Sequence, residues 1–468
     1  LLIQTISVTP DQRYAVISSS PGAGGNALSI IDLKSPDWNL RPIVSNYTHN
    51  WVVIGNSGTR FFLATDEGAE LGKVVTTDLS APELEFSDLI KEQENRTLID
   101  VVLLGGHLLI TYLTDAKSET ARHNLDGTSD GAIELPGIGL VSGFRGCPND
   151  DEAFFLFTGY NAPTTIYRYE IAQRDLSVWA KPEVPIDLDR ITVEQHFYNS
   201  KDGTRIPMLV VRRADVQPPA PTILYGYGGF GISMVPYYSP AILAWVEAGG
   251  IYAIANLRGG GEYGKAWHNT GRLKNKQNVF DDFICAAEYL RRESISATNG
   301  LAIQGESNGG LLVGAVLNQR PDLFSVALAG VGVMDMIRFG RFTNGQFWIG
   351  EYGDPEDETD FHNVLSYSPY HTIRPGRCYP AVLVTTADTD DRAVPAHSFK
   401  YLAALQAADS GDKPIILRVD TRVGHGAGKP VAKQIDEVAD QWAFAAHWVG
   451  LVTPTDHDSA HEPQRIKQ

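Results

Sequence analysis

Cysteine is scarce in this chain. Cys147, Cys285 and Cys378 are the only three among 468 residues, too few and too scattered for a disulfide framework or a metal cluster, and no zinc-ligand spacing appears. That usage suits a reducing compartment or indifference to redox, and the cytoplasm is the expected address. Long apolar runs are missing too: 326–334 is among the longest and falls short of a membrane span. Residue 1 opens no charged-then-apolar signal segment. Positive charge is in deficit, with 39 Lys and Arg against 56 Asp and Glu for a net −17. This argues against a nucleic-acid or anionic-membrane partner. The chain also lacks an initiator methionine, so a mature product or a fragment is expected. What remains, 43% hydrophobic and 20% charged residues, is a soluble globular composition. The length exceeds one ordinary core, so two domains are expected.

The first, over 1–184, reads as all-β and repetitive. Asp32, Asp78, Asn124 and Glu170 follow one another at 46-residue intervals, each closing a short β-rich stretch and followed by an aliphatic residue. Strand-like runs precede each of them (13–18, 60–64, 107–112, 153–158), others open each repeat (2–8, 51–54, 98–103, 139–143), and more follow, such as 40–44 and 176–180. Four strands repeating at this period are the signature of β-propeller blades. A β-sandwich with accidental spacing is the alternative.

A linker rich in proline and charge, 181–190, leads into the second domain, 185–468. Two strands, 191–198 and 205–212, join through Asp202-Gly203 as a hairpin. Beyond it strands (222–225, 251–256, 301–303, 325–331, 381–386, 415–419) alternate with helices (279–292, the run after Ser307, 396–408, 431–448). That alternation predicts an α/β domain with a mostly parallel sheet. Phe280, Phe283, Ile284, Ala287 and Leu290 recur at helical spacing, so one face of 279–292 is expected to pack on the sheet.

Chemistry in such a sheet sits at the carboxyl ends of its strands. Gly305-Glu-Ser-Asn-Gly309 fits Gly-x-Ser-x-Gly between an apolar strand and a helix-compatible run, where a sharp turn lifts the serine hydroxyl clear of the backbone. Taken alone, the pattern is also that of a glycine-rich turn. After 381–387 comes Asp388-Thr-Asp-Asp-Arg392, and after 415–419 comes Gly424-His-Gly-Ala-Gly-Lys429. Nucleophile, acid and histidine thus appear in the order this fold requires. The histidine would take the serine proton and return it to the leaving group, and an aspartate would fix the imidazole tautomer. Spacing does not choose among Asp388, Asp390 and Asp391. His397 and His447, on helices, read as structural. For the oxyanion, one donor is expected from the Asn308 N–H and another from the loop Gly226-Tyr-Gly-Gly-Phe230; a structural turn with one buried tyrosine is the plainer reading of that loop.

Leu224-Tyr-Gly-Tyr-Gly-Gly-Phe230, Leu257-Arg-Gly-Gly-Gly-Glu-Tyr-Gly264, Gly305-Glu-Ser-Asn-Gly-Gly-Leu-Leu312, Val331-Gly-Val-Met-Asp-Met336, Ala387-Asp-Thr-Asp-Asp-Arg-Ala-Val-Pro395 and Gly424-His-Gly-Ala-Gly-Lys429 fall in order. Together they resemble the prolyl oligopeptidase family of serine peptidases over the whole α/β half, about 191–451. The resemblance implies an α/β-hydrolase domain preceded by a propeller, with Ser307, Asp390 and His425 as the triad and the Tyr227 hydroxyl joining the Asn308 N–H in the oxyanion hole. It also implies that a substrate proline stacks on Trp348, with Phe230, Val333 and Tyr352 around it, while Arg392 binds a substrate carbonyl. No metal or other cofactor is implied. A flat, rigid ring buries well against aromatic faces, and no acidic residue occupies those lining positions. Two departures touch the elbow and the pocket wall: Glu306 stands where the family usually has glycine, and Ala393 replaces a commonly larger aliphatic residue.

The expected function is hydrolysis of short peptides on the carboxyl side of proline through an acyl-enzyme. Another specificity or a peptide-joining outcome is the alternative, since an amine can resolve an acyl-enzyme as water does. A non-catalytic, peptide-binding propeller protein with a decayed hydrolase domain is the alternative from a different class. Family members carry seven blades, and a monomer is expected when the full propeller is present. The four blades visible here are expected to form an open arc whose apolar side faces drive self-association.

Overall fold

In a computed structural model, which describes residues 2–21, 25–426 and 428–452, the 46-residue rhythm becomes four antiparallel sheets of four strands. Leu1, just before the first expected strand, and Ala427 of the histidine motif lie outside the described residues. Blade 1 is β1–β4 (Ile3–Val8, Tyr14–Ser20, Ala27–Asp32, Leu40–Val44) and blade 2 is β5–β8 (Trp51–Ser57, Arg60–Thr65, Lys73–Asp78, Ser87–Ile90). Blade 3 is β9–β12 (Arg96–Leu104, His107–Thr114, Lys117–Asn124, Ser129–Ala132) and blade 4 is β13–β16 (Leu140–Arg145, Glu152–Gly159, Ala162–Glu170, Asp175–Ala180).

The four marker residues each end the third strand of their blade, and their chemistry explains why. A carboxylate there accepts from the turn that follows: Asp32 Oδ1 from the Lys34 N–H at 3.0 Å and Asp78 Oδ1 from the Ser80 N–H at 2.8 Å. Asn124 and Glu170 bond instead to Thr128 and Arg168. The aliphatic residue behind the marker closes the hairpin, with the N–H groups of Leu33, Leu79 and Ile171 donating to the carbonyls of Arg13, Thr59 and Asp151.

Apolar side chains join each blade to the next. Leu28 and Ile30 meet Phe61 and Leu63 between blades 1 and 2; Phe62 and Val74 meet Leu103 and Leu108 between 2 and 3; Leu104 and Leu109 meet Phe155 and Phe157 between 3 and 4. Covered on both sides in this way, β10 is buried over six consecutive residues instead of in alternation. The outermost strands differ. β1 is exposed along its whole length, with Ile3 at 64% and Ile6 at 71%, and Val178 on β16 is at 54%. That is the exposure expected of a blade face with no neighbour stacked on it.

The chain divides into two compact units, and Val235–Tyr238 and Gly261–Trp267 belong with the blades in the first. The Tyr237 ring lies 5.8 Å from Tyr160, the Tyr238 N–H donates to Thr158 Oγ1, and Lys265 pairs with Asp66. Order along the chain would put both segments in the second unit.

That second unit is built on one eight-stranded sheet: β17 (Ile191–Asn199), β18 (Arg205–Arg213), β19 (Ala220–Tyr225), β20 (Ile251–Ala255), β21 (Ser296–Glu306), β22 (Val326–Gly330), β23 (Ala381–Ala387) and β24 (Ile415–Asp420). Their order is β17-β18-β20-β19-β21-β22-β23-β24. The hairpin edge is antiparallel, and every pairing from β20 onward is parallel. β22 and β23 are buried at every residue because helices cover both faces. The helices packed on the sheet are α1 (Pro240–Glu247), α3 (Gln277–Arg292), α4 (Asn308–Gln319), α7 (Ala396–Ala408) and α8 (Val431–Val449); α2 (Gly264–Asn269) begins in the segment that belongs with the blades, and α5 (Ile349–Tyr352) and α6 (Glu358–Tyr367) lie between β22 and β23 in the chain. In α3 the expected face is buried except for Ile284, which is half-buried. Asp282 goes in instead, because its carboxylate accepts from the Arg258 guanidinium at 2.6 Å and from the Ser200 hydroxyl. His397 is structural as expected: it accepts from the Asp335 N–H at 3.1 Å, and burial pulls its imidazole down to about 4, so it stays neutral.

Replacing Ile3, Ile6 and Val178 together by serine should weaken concentration-dependent self-association of the 468-residue chain in sedimentation velocity, while the melting temperature holds. Unchanged association would place the contact on another surface.

Candidate active site

β21 ends at Glu306 and α4 begins at Asn308, so Ser307 alone makes the turn between them. Its φ of 59° and ψ of −115° fall outside the regions an L-residue enters cheaply, a strain of about 1–3 kcal/mol. The turn is held by the Ser307 N–H, which donates to the Gly330 carbonyl at 2.9 Å. It is also held by packing that only glycine allows. A Cβ on Gly305 would lie 2.3 Å from the Gly309 carbonyl oxygen, and one on Gly309 would lie 2.7 Å from that of Gly226. The second contact presses the elbow against the 226–230 arm.

The Ser307 hydroxyl faces His425, with Oγ 3.0 Å from Nε2, and His425 Nδ1 lies 2.7 Å from Asp390 Oδ2. A carboxylate can only accept, so Nδ1 carries the proton and donates it. Nε2 of a neutral ring is then left to accept from the serine hydroxyl. Asp390 is buried, and its second oxygen takes the N–H groups of Arg392 and Ala393, both at 2.9 Å. Ala393 contributes its backbone N–H here, a bond that does not depend on its side chain. The neighbouring aspartates do other work. Asp388 Oδ1 accepts from the Arg422 N–H at 2.6 Å and ties the acid loop to the histidine loop, while Asp391 is exposed. Behind His425, Lys429 is clamped between Asp420 and Glu437.

Asn308 is the first residue of α4, so its N–H has no carbonyl within the helix to bind. Tyr227 is half-buried on the arm beside it. Burial and the charge of Glu351 push its hydroxyl up while Arg392 pulls it back, so it stays a donor at neutral pH. The aromatic residues named from sequence form a continuous wall once Phe339 is added to them. Phe230 meets Tyr352 edge-on at 5.7 Å, Tyr352 meets Phe339 at 5.4 Å, and Phe339 stacks with Trp348 at 6.5 Å and 14° between planes. Trp348 is half-buried and Val333 buried, and Arg392 is exposed.

Sequence reasoning missed Phe339, which backs Trp348, and two buried charges, Lys276 and Glu351. Lys276 did leave a signal: it stands at the N-terminus of α3, where the helix dipole disfavours a cation.

The model of the prolyl oligopeptidase family matches residues 236–452, and that of the prolyl oligopeptidase N-terminal beta-propeller domain matches 2–182. The chain belongs to the prolyl oligopeptidase family. Among prolyl oligopeptidase relatives, it is 42% identical over 448 residues to a prolyl endopeptidase of Elizabethkingia meningoseptica, covering 95% of this chain and 63% of the relative. It is 37% identical to a dual function macrocyclase-peptidase of Amanita bisporigera, covering 96% and 65%. Among solved structures, apo prolyl oligopeptidase B from Galerina marginata superposes with a TM-score of 0.87 at 33% identity, covering 96% of this chain and 65% of that one. The chain thus spans less than two thirds of the length of these prolyl oligopeptidase relatives.

If the Ser307, His425 and Asp390 line activates the hydroxyl, a fluorophosphonate should label Ser307, and Ser307→Ala should abolish the adduct. Asp390→Asn, which leaves the wrong imidazole tautomer, should slow labelling about 10⁴-fold. A label that persists in the alanine variant would put the nucleophile elsewhere.

Proposed function

We propose that this chain is the peptidase-bearing part of a serine peptidase that cleaves short peptides on the carboxyl side of proline. The hydrogen-bonded line from Ser307 through His425 to Asp390, opening beside an aromatic wall, carries this reading, and similarity to prolyl endopeptidases supports it. Residues 185–468 are the peptidase portion and 1–184 the propeller portion. Ser307 Oγ attacks the prolyl carbonyl carbon as its proton passes to His425 Nε2, and Asp390 stabilises the imidazolium. The Asn308 N–H and the Tyr227 hydroxyl meet the oxygen on which charge develops. As the C–N bond breaks, His425 hands its proton to the leaving amine. Water then attacks the ester with His425 again as base, releasing the acid and restoring Ser307. The proline ring lies against Trp348, Phe230, Tyr352 and Val333, and Arg392 binds a carbonyl of the preceding residue. Similarity to a macrocyclase-peptidase favours one second reading, in which a peptide amine resolves the same acyl-enzyme. No cofactor enters either reading. The three free cysteines suit a cytoplasmic setting, and among the described residues no helix is long and apolar enough to cross a membrane. With its propeller complete, the protein is read as a monomer.

Incubation with matched peptides bearing proline or alanine at the cleaved position, followed by mass analysis of the products, tests the reading. Cleavage after alanine as readily as after proline would defeat it. Trp348→Ala should cost proline substrates about 1–3 kcal/mol in kcat/KM relative to alanine ones; equal losses on both would show that the ring does not stack there.

A further inference from the structure

Lys276 is 1% exposed and Glu351 is 4% exposed, a degree of burial that usually makes an ion pair no better for stability than apolar residues of the same size. What the pair touches suggests another use. Lys276 Nζ donates to the Gly228 carbonyl at 2.9 Å, to Asn308 Oδ1 at 3.2 Å and to Glu351 Oε1 at 3.4 Å. Three acceptors match the three protons of an ammonium. Burial pulls that ammonium below the ordinary lysine range, with Glu351 opposing. Glu351 Oε1 also accepts from the Phe230 N–H at 3.0 Å, and Oε2 from His268 Nε2 at 2.7 Å. Although burial pushes the Glu351 carboxyl up, His268, Lys276 and that N–H together hold it below the usual carboxylate range. The Asn308 amide closes the circuit, donating to the Tyr227 carbonyl and accepting from the Tyr352 hydroxyl at 3.0 Å.

The backbone of the arm is therefore gripped at three successive points: Tyr227 by Asn308, Gly228 by Lys276 and Phe230 by Glu351. Tyr227 carries the oxyanion donor of the function proposed above, and Phe230 lines the proline pocket. Glu351 belongs to α5, and that pocket is completed by Tyr352, the last residue of this helix, and by Trp348, its N-cap. Resting on that reading, we infer that Lys276 and Glu351 are positioning residues. Their pair fixes the arm to the elbow and the pocket helix, so that the Tyr227 hydroxyl meets the oxyanion while proline occupies the pocket. A preorganised donor accelerates the reaction only when its place is fixed before charge develops.

The test uses the 468-residue chain with Lys276→Met, Glu351→Gln and the double variant, each also in a Tyr227→Phe background. The charge-neutral double variant should keep the wild-type melting temperature within a few degrees, yet lose about 10- to 100-fold in kcat with KM little changed. In the Tyr227→Phe background the same substitutions should cost much less, because the donor they position is gone. Full additivity with Tyr227→Phe, a loss confined to KM, or wild-type turnover would each overturn the proposal. If the buried variants fail to fold, His268→Leu, at the more exposed end of the network, decides: a several-fold fall in kcat supports positioning, and unchanged kcat overturns it. The rate of Ser307 labelling by a fluorophosphonate is read in parallel, since it needs the oxyanion site and no proline. A wild-type chain that labels but spares prolyl peptides would sink the specificity reading and leave the labelling rates to judge the pair.

Discussion

Ser307 sits in a backbone conformation that a side chain-bearing residue adopts only under compulsion, and much of the second unit supplies that compulsion. β21 delivers the chain to the elbow and α4 carries it away, while Gly305 and Gly309 let three backbone segments approach to distances that a single added methyl would forbid. The sheet makes the meeting possible. Its parallel strands end together at one edge, so loops far apart in the chain, those bearing Tyr227, Asp390 and His425, converge on the same point. Strain at the serine is repaid by exposure of its hydroxyl to His425.

Around this point the unit relies on buried charge. Arg258 with Asp282 and Asp202 ties α3 to the turn of the β17–β18 hairpin, half-buried Lys429 with Asp420 and Glu437 backs the histidine loop, and Lys276 with Glu351 holds the arm. Desolvation makes each costly as a source of stability. Each also joins segments whose relative placement hydrophobic contact alone would leave loose, because apolar packing has no direction and a hydrogen-bonded ion pair does.

The blades obey a different economy. Facing sides of neighbouring sheets cover one another, so the cores between blades are apolar and the polar residues that recur every 46 positions stand at the ends of third strands. Where a neighbour is absent from the described residues, as at β1, the same apolar strand chemistry faces solvent.

Periodicity alone sufficed for the blade repeat, since each marker residue ends the third strand of its blade. The alternation of strands and helices, and the candidate serine, acids and histidine at strand ends, were legible for the same reason: strand period, turn chemistry and motif order are local properties. The choice of Asp390 over Asp388 and Asp391 was not local, because it depends on which carboxylate reaches across to a residue 35 positions away; only the family resemblance pointed to it in advance. The face of α3 was read nearly correctly, failing at Asp282 because its partner Arg258 comes from a different strand end. Lys276, Glu351 and Phe339 escaped for that reason too. A buried charge or a backing ring has meaning only with its partner beside it, and sequence places these partners as much as 121 residues apart. The sequence by itself therefore determined the two kinds of architecture and the residue types available for chemistry. Which of those residues touch was decided by the tertiary fold, because contact across a parallel sheet is set by how its strand ends converge and not by distance along the chain.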